Sequence, residues 1–176
     1  MLCNTLRAVR SARGVDKVRL IVSRMTSELC TLARQQGARC VLERRATLNG
    51  ALQVEFDEAL DQGQAALIVF ADLPLLDASV LTRFVENVAD AELGLAPDDH
   101  GRGTNALLYR GSAPLPMLYG PDSFLKYERL GQARSLRTCV FQHGSLARDL
   151  DTPQDWARLR PVLSALGRVE ELGAAR

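Results

Sequence analysis

The chain has 176 residues, of which 47% are hydrophobic and 24% are charged, and its formal net charge at pH 7 is +1. This length and composition are typical of one globular domain with a sizeable apolar core, so we treat residues 1–176 as a single domain. The small net charge argues against electrostatic attraction to nucleic acid or to a membrane surface and favours small ligands.

Along the chain, the apolar residues alternate between strand-like runs and helical periodicity. The predicted helices cover residues 1–12, 28–36, 48–60, 78–88 and 123–133, and a last helix begins at Thr152. The predicted strands cover residues 18–22, 40–42, 65–71, 93–96, 105–109 and 136–141. Asp77 and Ser123 are the predicted N-caps of their helices. This alternation predicts an α/β fold whose sheet is mostly parallel and covered on both faces.

The cysteine pattern and the hydropathy of the chain indicate a cytoplasmic protein. Cys3, Cys30, Cys40 and Cys139 are far apart and lie among apolar residues, as expected for reduced core thiols. The sequence shows neither a cleavable signal nor a run of the roughly 20 apolar residues that span a bilayer. Phe56 and Trp156 fall at core positions of their helices, and His100 and His143 are expected at the surface.

Three aspartates are candidates for a metal site. Asp72 ends the apolar run of residues 65–71, which predicts a central strand, and Asp149 and Asp151 are two residues apart, so an extended segment would place their carboxylates on one side. Together they could hold a divalent cation beside a phosphate. The alternatives are that Asp72 only closes a strand, that Asp151 and Thr152 only begin the last helix, and that Asp149 is a surface residue.

Two further segments could bind an anion. Residues 101–105 (GRGTN) would let backbone N–H groups approach a phosphate, with the Thr104 hydroxyl adding a hydrogen bond, although they match no complete nucleotide-binding fingerprint and composition allows a hairpin connection equally well. Gly120 lies just before the helix that starts at Ser123, and a helix start offers unsatisfied N–H groups to a phosphate or a carboxylate.

Four motifs in this order and spacing resemble the 2-phospho-L-lactate guanylyltransferase family. They are residues 71–75 (ADLPL), 103–108 (GTNALL), 119–124 (YGPDSF) and 149–153 (DLDTP). The family includes the phosphoenolpyruvate and 3-phospho-D-glycerate guanylyltransferases of deazaflavin coenzyme biosynthesis. The resemblance implies a GT-A-like nucleotidyltransferase fold that joins GTP to a phosphorylated three-carbon acid and releases pyrophosphate with Mg²⁺.

The resemblance also implies roles for individual residues. Asp72, Asp149 and Asp151 match the positions that hold magnesium. The positions that hold the phospho-acid match Thr104, Gly120 and Ser123. Residues 48–52 (LNGAL) resemble the segment near the nucleotide, which makes Asn49 a candidate contact to the base or the ribose. A downstream transferase that receives the product is a further expected partner.

At its start the chain departs from the family. Family members open with a strand and a basic loop that receives the triphosphate, and this chain begins after them, so we expect an N-terminally truncated fold in which a central ladder of the sheet is missing. We also expect the chain by itself to be a poor catalyst. The alternative functions are another GT-A-like nucleotidyltransferase, of the molybdenum-cofactor or sugar-phosphate type, and a catalytically degenerate relative that binds a nucleotide or a partner.

Overall fold

The computed structural model describes residues 1–169, in which helices and strands alternate as the sequence predicts. The helices are α1 (Leu2–Ser11), α2 (Ser27–Gln35), α3 (Leu48–Asp61), α4 (Ala78–Asn87), α5 (Ser123–Ala133), α6 (Gly144–Ala147) and α7 (Pro153–Ala165). The strands are β1 (Arg19–Val22), β2 (Arg39–Leu42), β3 (Ala66–Val69), β4 (Leu93–Pro97), β5 (Thr104–Tyr109) and β6 (Thr138–Val140). Of these elements in residues 1–169, only α6 was not predicted.

Side-chain caps fix the starts of most of the longer helices. Thr26, Thr47, Asp77 and Thr152 each accept a hydrogen bond from the backbone N–H three residues further on. The prediction for α5 was wrong. Its N-cap is Asp122, whose side chain makes no cap hydrogen bond. Ser123 does not cap the helix, because its hydroxyl lies inside the protein and donates to Thr104 Oγ1.

The strands form two separate sheets instead of the single sheet that we predicted. β1 and β2 pair in parallel, and the other sheet has the order β3-β5-β4-β6. Within it β5 is antiparallel to both β3 and β4, and β4 is parallel to β6, so the sheet is mixed with β5 alone reversed. β3 was expected to be central, yet in the described residues it pairs only with β5.

A groove separates the two sheets. Two cavities of about 330 and 350 Å³ are lined by β1 residues on one side and β3 residues on the other, including Leu20, Leu67 and Val69. Every residue of β4 and β5 is buried, whereas all four residues of β1 keep intermediate exposure. The apolar interior is therefore closed around β4 and β5 and open along the groove.

Both faces of the four-stranded sheet are covered, as predicted. One face, with Leu95, Leu107 and Tyr109, packs against Phe56 of α3 and Tyr127 of α5. The other face, which includes Ala96, Ala106 and Leu108, packs against α1 and α4. Trp156 packs in a smaller cluster with Leu75, Leu159 and Leu163. The four cysteines are free and partly buried, and none of the helices in residues 1–169 has the length and apolarity to cross a membrane.

Candidate active site

A main-chain contact brings the three candidate aspartates together. Asp72 lies just after β3, and its carbonyl accepts a 3.0 Å hydrogen bond from the N–H of Leu150. The Leu150 side chain packs toward the cluster of Leu75 and Leu159. Asp149 and Asp151 flank Leu150 in sequence, so this contact places both of them beside Asp72. The structure thus brings together two of the sequence motifs, residues 71–75 and residues 149–153.

The electrostatics of the three carboxylates reflect this proximity. Burial, together with the negative charges of Asp151 and Asp149, raises the pKa of Asp72 to about 6. Burial, followed by the charge of Asp151, also raises the pKa of Asp149. Asp72 Oδ1 is buried and has no hydrogen-bond partner within the described structure. The carboxylates therefore repel one another, and within residues 1–169 no ion pair offsets their charge.

These observations fit a hard divalent cation, although the ligating geometry is not formed. Carboxylate oxygens are the ligands that Mg²⁺ prefers, and a cation would satisfy the buried Oδ1 atom of Asp72. In residues 1–169, however, no group of three or more His, Cys, Asp or Glu side chains is arranged to hold a metal ion. The carboxylates suit a hard divalent cation, and their side chains would have to converge further to ligate one.

An open cavity of about 640 Å³ lies next to the aspartates. Its lining includes Asp149 and Asp151 as well as Gly103 and the segment from Gly120 to Asp122. Thr104 and Ser123 are 3% and 2% exposed and lie beneath this lining, with a 3.1 Å hydrogen bond between their hydroxyls. The structure thus brings Gly120 to the cavity surface and places the side chains of Thr104 and Ser123 under it.

The glycine-rich loop does not present free N–H groups, contrary to the expectation from its sequence. The carboxylate of Asp98 accepts hydrogen bonds from the backbone N–H groups of His100, Arg102 and Gly103, at 3.1, 2.8 and 2.8 Å. A Cβ atom at position 103 would lie 2.8 Å from Asp98 Oδ2, so a larger residue there would displace the Asp98 carboxylate from its hydrogen bonds. The loop is therefore organised around Asp98, and these N–H groups are not available to a phosphate.

Two contacts connect this loop to the segment that carries Asp149. The Asn105 side-chain amide donates a 2.9 Å hydrogen bond to the Leu146 carbonyl in the interior. The N–H of Asp99 donates, also at 2.9 Å, to the carbonyl of Ala147. Because α6 ends at Ala147 and Asp149 follows it, the loop and the acidic segment hold each other in place.

Asn49 lies against the polypeptide backbone. Its amide nitrogen donates to the Tyr119 carbonyl at 2.9 Å, and its amide oxygen accepts from the Tyr119 N–H at 2.8 Å. Gln53, one turn further along α3, makes the same kind of paired contact with Leu115 and Met117. One N–H of Asn49 remains for other partners, and its contact with the nucleotide stays a prediction.

The two histidines differ in their surroundings. His100 is exposed and lines the cavity. His143 was expected at the surface, but it is half-buried, stacks on Phe141 and accepts the Ser145 N–H at the start of α6. It therefore has a structural part in ordering the segment before Asp149.

A comparison with known families supports the motif resemblance. The sequence profile described as "Guanylyl transferase CofC like" matches residues 1–160. The chain belongs to the CofC-like guanylyl transferase family.

Curated relatives of this CofC-like chain carry names of the same kind. It is 34% identical over 155 residues to phosphoenolpyruvate guanylyltransferase from Rubrobacter xylanophilus, an alignment that covers 87% of this chain and 76% of the relative. It is 30% identical over 156 residues to 2-phospho-L-lactate guanylyltransferase from Methanocaldococcus fervens, covering 88% of this chain and 69% of the relative.

Solved structures support the fold of the CofC-like chain. The crystal structure of 4-diphosphocytidyl-2C-methyl-D-erythritol synthase superposes with a TM-score of 0.67 at 18% identity, covering 92% of this chain and 89% of that one. The predicted nucleotidyltransferase fold is confirmed.

Sequence reasoning missed two parts of this CofC-like site. It missed Asp98, although an aspartate shortly before a glycine-rich turn is typical of a side chain that accepts backbone N–H groups. It also missed the ion pair in which Arg102 Nε donates to Asp122 Oδ1 at 2.7 Å. No local signal links these two residues, because the folding of the chain brings them together.

Proposed function

We propose that this chain transfers the guanylyl group of GTP to the phosphate of a three-carbon phospho-acid, releases pyrophosphate, and serves deazaflavin coenzyme biosynthesis in the cytoplasm. The acid is phosphoenolpyruvate, 2-phospho-L-lactate or 3-phospho-D-glycerate. The observation that carries this proposal is the hydrogen bond from Leu150 to Asp72, which gathers three carboxylates at the edge of an open cavity. Family membership and the names of the relatives agree with it.

The proposed reaction is an in-line displacement at phosphorus. A phosphate oxygen of the acid attacks the α-phosphorus of GTP and forms a new P–O bond. The bond from the α-phosphorus to the oxygen that bridges to the β-phosphate breaks, and pyrophosphate leaves with that electron pair. Because the attacking phosphate is already anionic, no general base is needed. This agrees with a site built from aspartates and backbone, in which positioning and electrostatics supply most of the rate.

Asp72, Asp149 and Asp151 are the residues that would hold Mg²⁺. When bound, the cation would neutralise charge on the attacking and leaving oxygens. The buried Oδ1 of Asp72 and the mutual repulsion of the carboxylates are what such a cation would relieve. In the absence of a cation, burial and the charges of Asp151 and Asp149 raise the pKa of Asp72 to about 6.

The acceptor and the nucleotide have separate proposed places. The acceptor lies over Gly120, with the hydroxyls of Thr104 and Ser123 fixing the floor beneath it. The nucleotide lies toward the start of α3, where Asn49 has one N–H left to donate. A downstream transferase that takes the diphosphate product is the proposed partner.

A direct test is to measure pyrophosphate release with GTP, Mg²⁺ and each of the three acids in turn, with ATP, CTP and UTP as control nucleotides. The proposal predicts release that requires GTP, the metal and one of the acids. Release that is independent of the acid, or a preference for a sugar phosphate, would contradict it.

A further inference from the structure

The cavity has a conspicuous imbalance of charge. Among the described residues that line it, four are aspartates, namely Asp98, Asp122, Asp149 and Asp151, and Arg102 is the sole lysine or arginine. An acid that carries both a phosphate and a carboxylate would meet repulsion on most sides of this cavity. Arg102 is the cationic side chain in place to offset that repulsion.

The backbone of Arg102 is held rigidly. Its N–H donates to Asp98 Oδ1 at 2.8 Å, and its carbonyl accepts the N–H of Phe124, in the first turn of α5, at 2.9 Å. Residue 102 is therefore fixed between the glycine-rich loop and the start of α5, directly before Gly103 and Thr104. Because the backbone of residue 102 is already fixed, its side chain can bind a ligand in the cavity without the loss of conformational entropy that ordering a loop would require.

The side chain of Arg102, in contrast, is only loosely engaged. It is 67% exposed, and within residues 1–169 its one ion pair is made through Nε to Asp122, whose side chain is 42% exposed. Asp122 has φ 56° and occupies the N-cap of α5 without capping it, so its carboxylate is available to the arginine. Ion pairs this exposed are weak, and the terminal nitrogens of the guanidinium are free to form a paired contact with another carboxylate.

We propose that Arg102 binds the carboxylate of the acceptor acid by exchanging Asp122 for the substrate. This inference rests on the proposed function, because it concerns the acid that the function requires. The planar guanidinium can form two parallel hydrogen bonds with a carboxylate, which a lysine cannot. Arg102 is thus the specificity-determining residue that separates phospho-acids from simple alkyl phosphates.

The test compares each acid with a phosphate in which a methyl group replaces the carboxylate. For 2-phospho-L-lactate this analogue is isopropyl phosphate. Dissociation constants are measured by calorimetry with Mg²⁺ and a non-hydrolysable GTP analogue present, for the wild type, Arg102→Gln, Arg102→Lys and Asp122→Asn. Arg13→Gln is the matched control, because Arg13 also forms an exposed ion pair, with Glu86, and Arg13 does not line the cavity.

We expect Arg102→Gln to weaken binding of the acid by about ten- to a hundredfold, as expected for a lost charge-assisted contact, and to leave isopropyl phosphate and the GTP analogue unaffected. Arg102→Lys should lie between the wild type and Arg102→Gln. Asp122→Asn, which removes the competing carboxylate, should strengthen binding of the acid. Equal effects on acid and analogue, or no effect on either, would overturn the inference. If the wild type binds the acid but forms no product with GTP, the proposed function fails while the assignment of Arg102 stands.

Discussion

The N–H of Leu150 donates a 3.0 Å hydrogen bond to the carbonyl of Asp72, and this single contact joins two acidic motifs that are distant in the sequence. Because it is a backbone contact, it fixes the main-chain positions of the aspartates in both motifs and uses none of their carboxylate oxygen atoms. Asp149 and Asp151 therefore remain able to turn toward a cation. The arrangement explains how a site can be gathered by the fold and still lack a finished ligand set.

The raised pKa of Asp72 predicts how stability depends on pH. Its pKa rises from 3.8 to about 6 on folding, so the native state binds the proton more tightly, and the contribution of this carboxyl to stability is lost as the pH rises from about 4 to 6. Asp72→Asn should then stabilise the metal-free protein at pH 7 by about 1–2 kcal/mol, a value reduced from the full shift because the group is partly solvated. Denaturant unfolding at pH 7 and at pH 4 should show that the stability gained by Asp72→Asn is smaller at the lower pH. A constant gain across this range would contradict the assignment, and the exposed Asp61→Asn serves as the control.

The same group predicts the response to magnesium. A bound cation should stabilise the wild type and lower the pKa of Asp72, because the ligand must be deprotonated. We expect added Mg²⁺ to raise the melting temperature of the wild type at pH 7 and to leave that of Asp72→Asn nearly unchanged. An equal rise in both proteins would place the cation elsewhere.

Asp98 is predicted to be the residue that organises the glycine-rich loop. Asp98→Asn replaces one acceptor oxygen by a donor and disrupts hydrogen bonds to a charged group, each worth about 1.5–3 kcal/mol. The variant should lose stability in that range and show a raised KM for the acid. Asp99→Asn is the matched control, because Asp99 makes surface ion pairs with Arg148 and Arg158, and such pairs are worth at most about 1 kcal/mol. Similar losses in both variants would show that the loop does not depend on Asp98.

Asn49 and Gln53 form a natural pair for separating structure from nucleotide binding. Both side chains make two hydrogen bonds to the backbone of residues 115–119. We expect Asn49→Ala and Gln53→Ala each to destabilise the fold by about 1–3 kcal/mol, since buried backbone groups lose their partners. The KM for GTP shows whether Asn49 also contacts the nucleotide. An increase in this KM for Asn49→Ala alone would support the contact. Equal KM values for the two variants would mean that Asn49 has only a structural role.

The buried pair of Ser123 and Thr104 should affect the acceptor more than the nucleotide. Ser123→Ala removes the hydroxyl that donates to Thr104 Oγ1 at 3.1 Å beneath the cavity. We expect the KM for the acid to rise while the KM for GTP stays the same. A damaged affinity for GTP with an unchanged KM for the acid would show that the two subsites are reversed.

Local elements could be predicted from the sequence because their signals are local. The caps at Asp77 and Thr152, and the apolar periodicity of α3 and α4, were sufficient to place those helices. Residues 93–96 and 105–109 were correctly predicted as strands, but their pairing was not, because an apolar run carries no information about which strand lies beside it. The same limit explains why β3, the most apolar run, was expected at the centre and pairs on one side only.

The candidate site was predictable in its residue types and less so in its contacts. Asp72 follows an apolar run, and Asp149 and Asp151 lie just before the last helix. The structure places the three near one another, but within residues 1–169 their side chains form no metal-binding group, so the shared cation site stays a prediction. The backbone N–H groups of residues 101–105 were expected to bind a phosphate. Two of them, those of Arg102 and Gly103, instead donate to the carboxylate of Asp98, which lies outside that motif. Which partner satisfies a polar group depends on tertiary neighbours, and a single sequence does not show them.

The central claim is that Asp72 and Asp151 act as one unit in guanylyl transfer, and a double-mutant comparison tests it most directly. Formation of the guanylylated acid from GTP is followed by mass spectrometry for the wild type, Asp72→Asn, Asp151→Asn, the double variant and the Asp61→Asn control. Residues that share one function lose little more when removed together than when removed singly. The account predicts that each single variant falls by about a hundredfold or more, that the double variant falls little further, and that Asp61→Asn matches the wild type. Losses that multiply in the double variant, or single variants that retain wild-type rates, would contradict it.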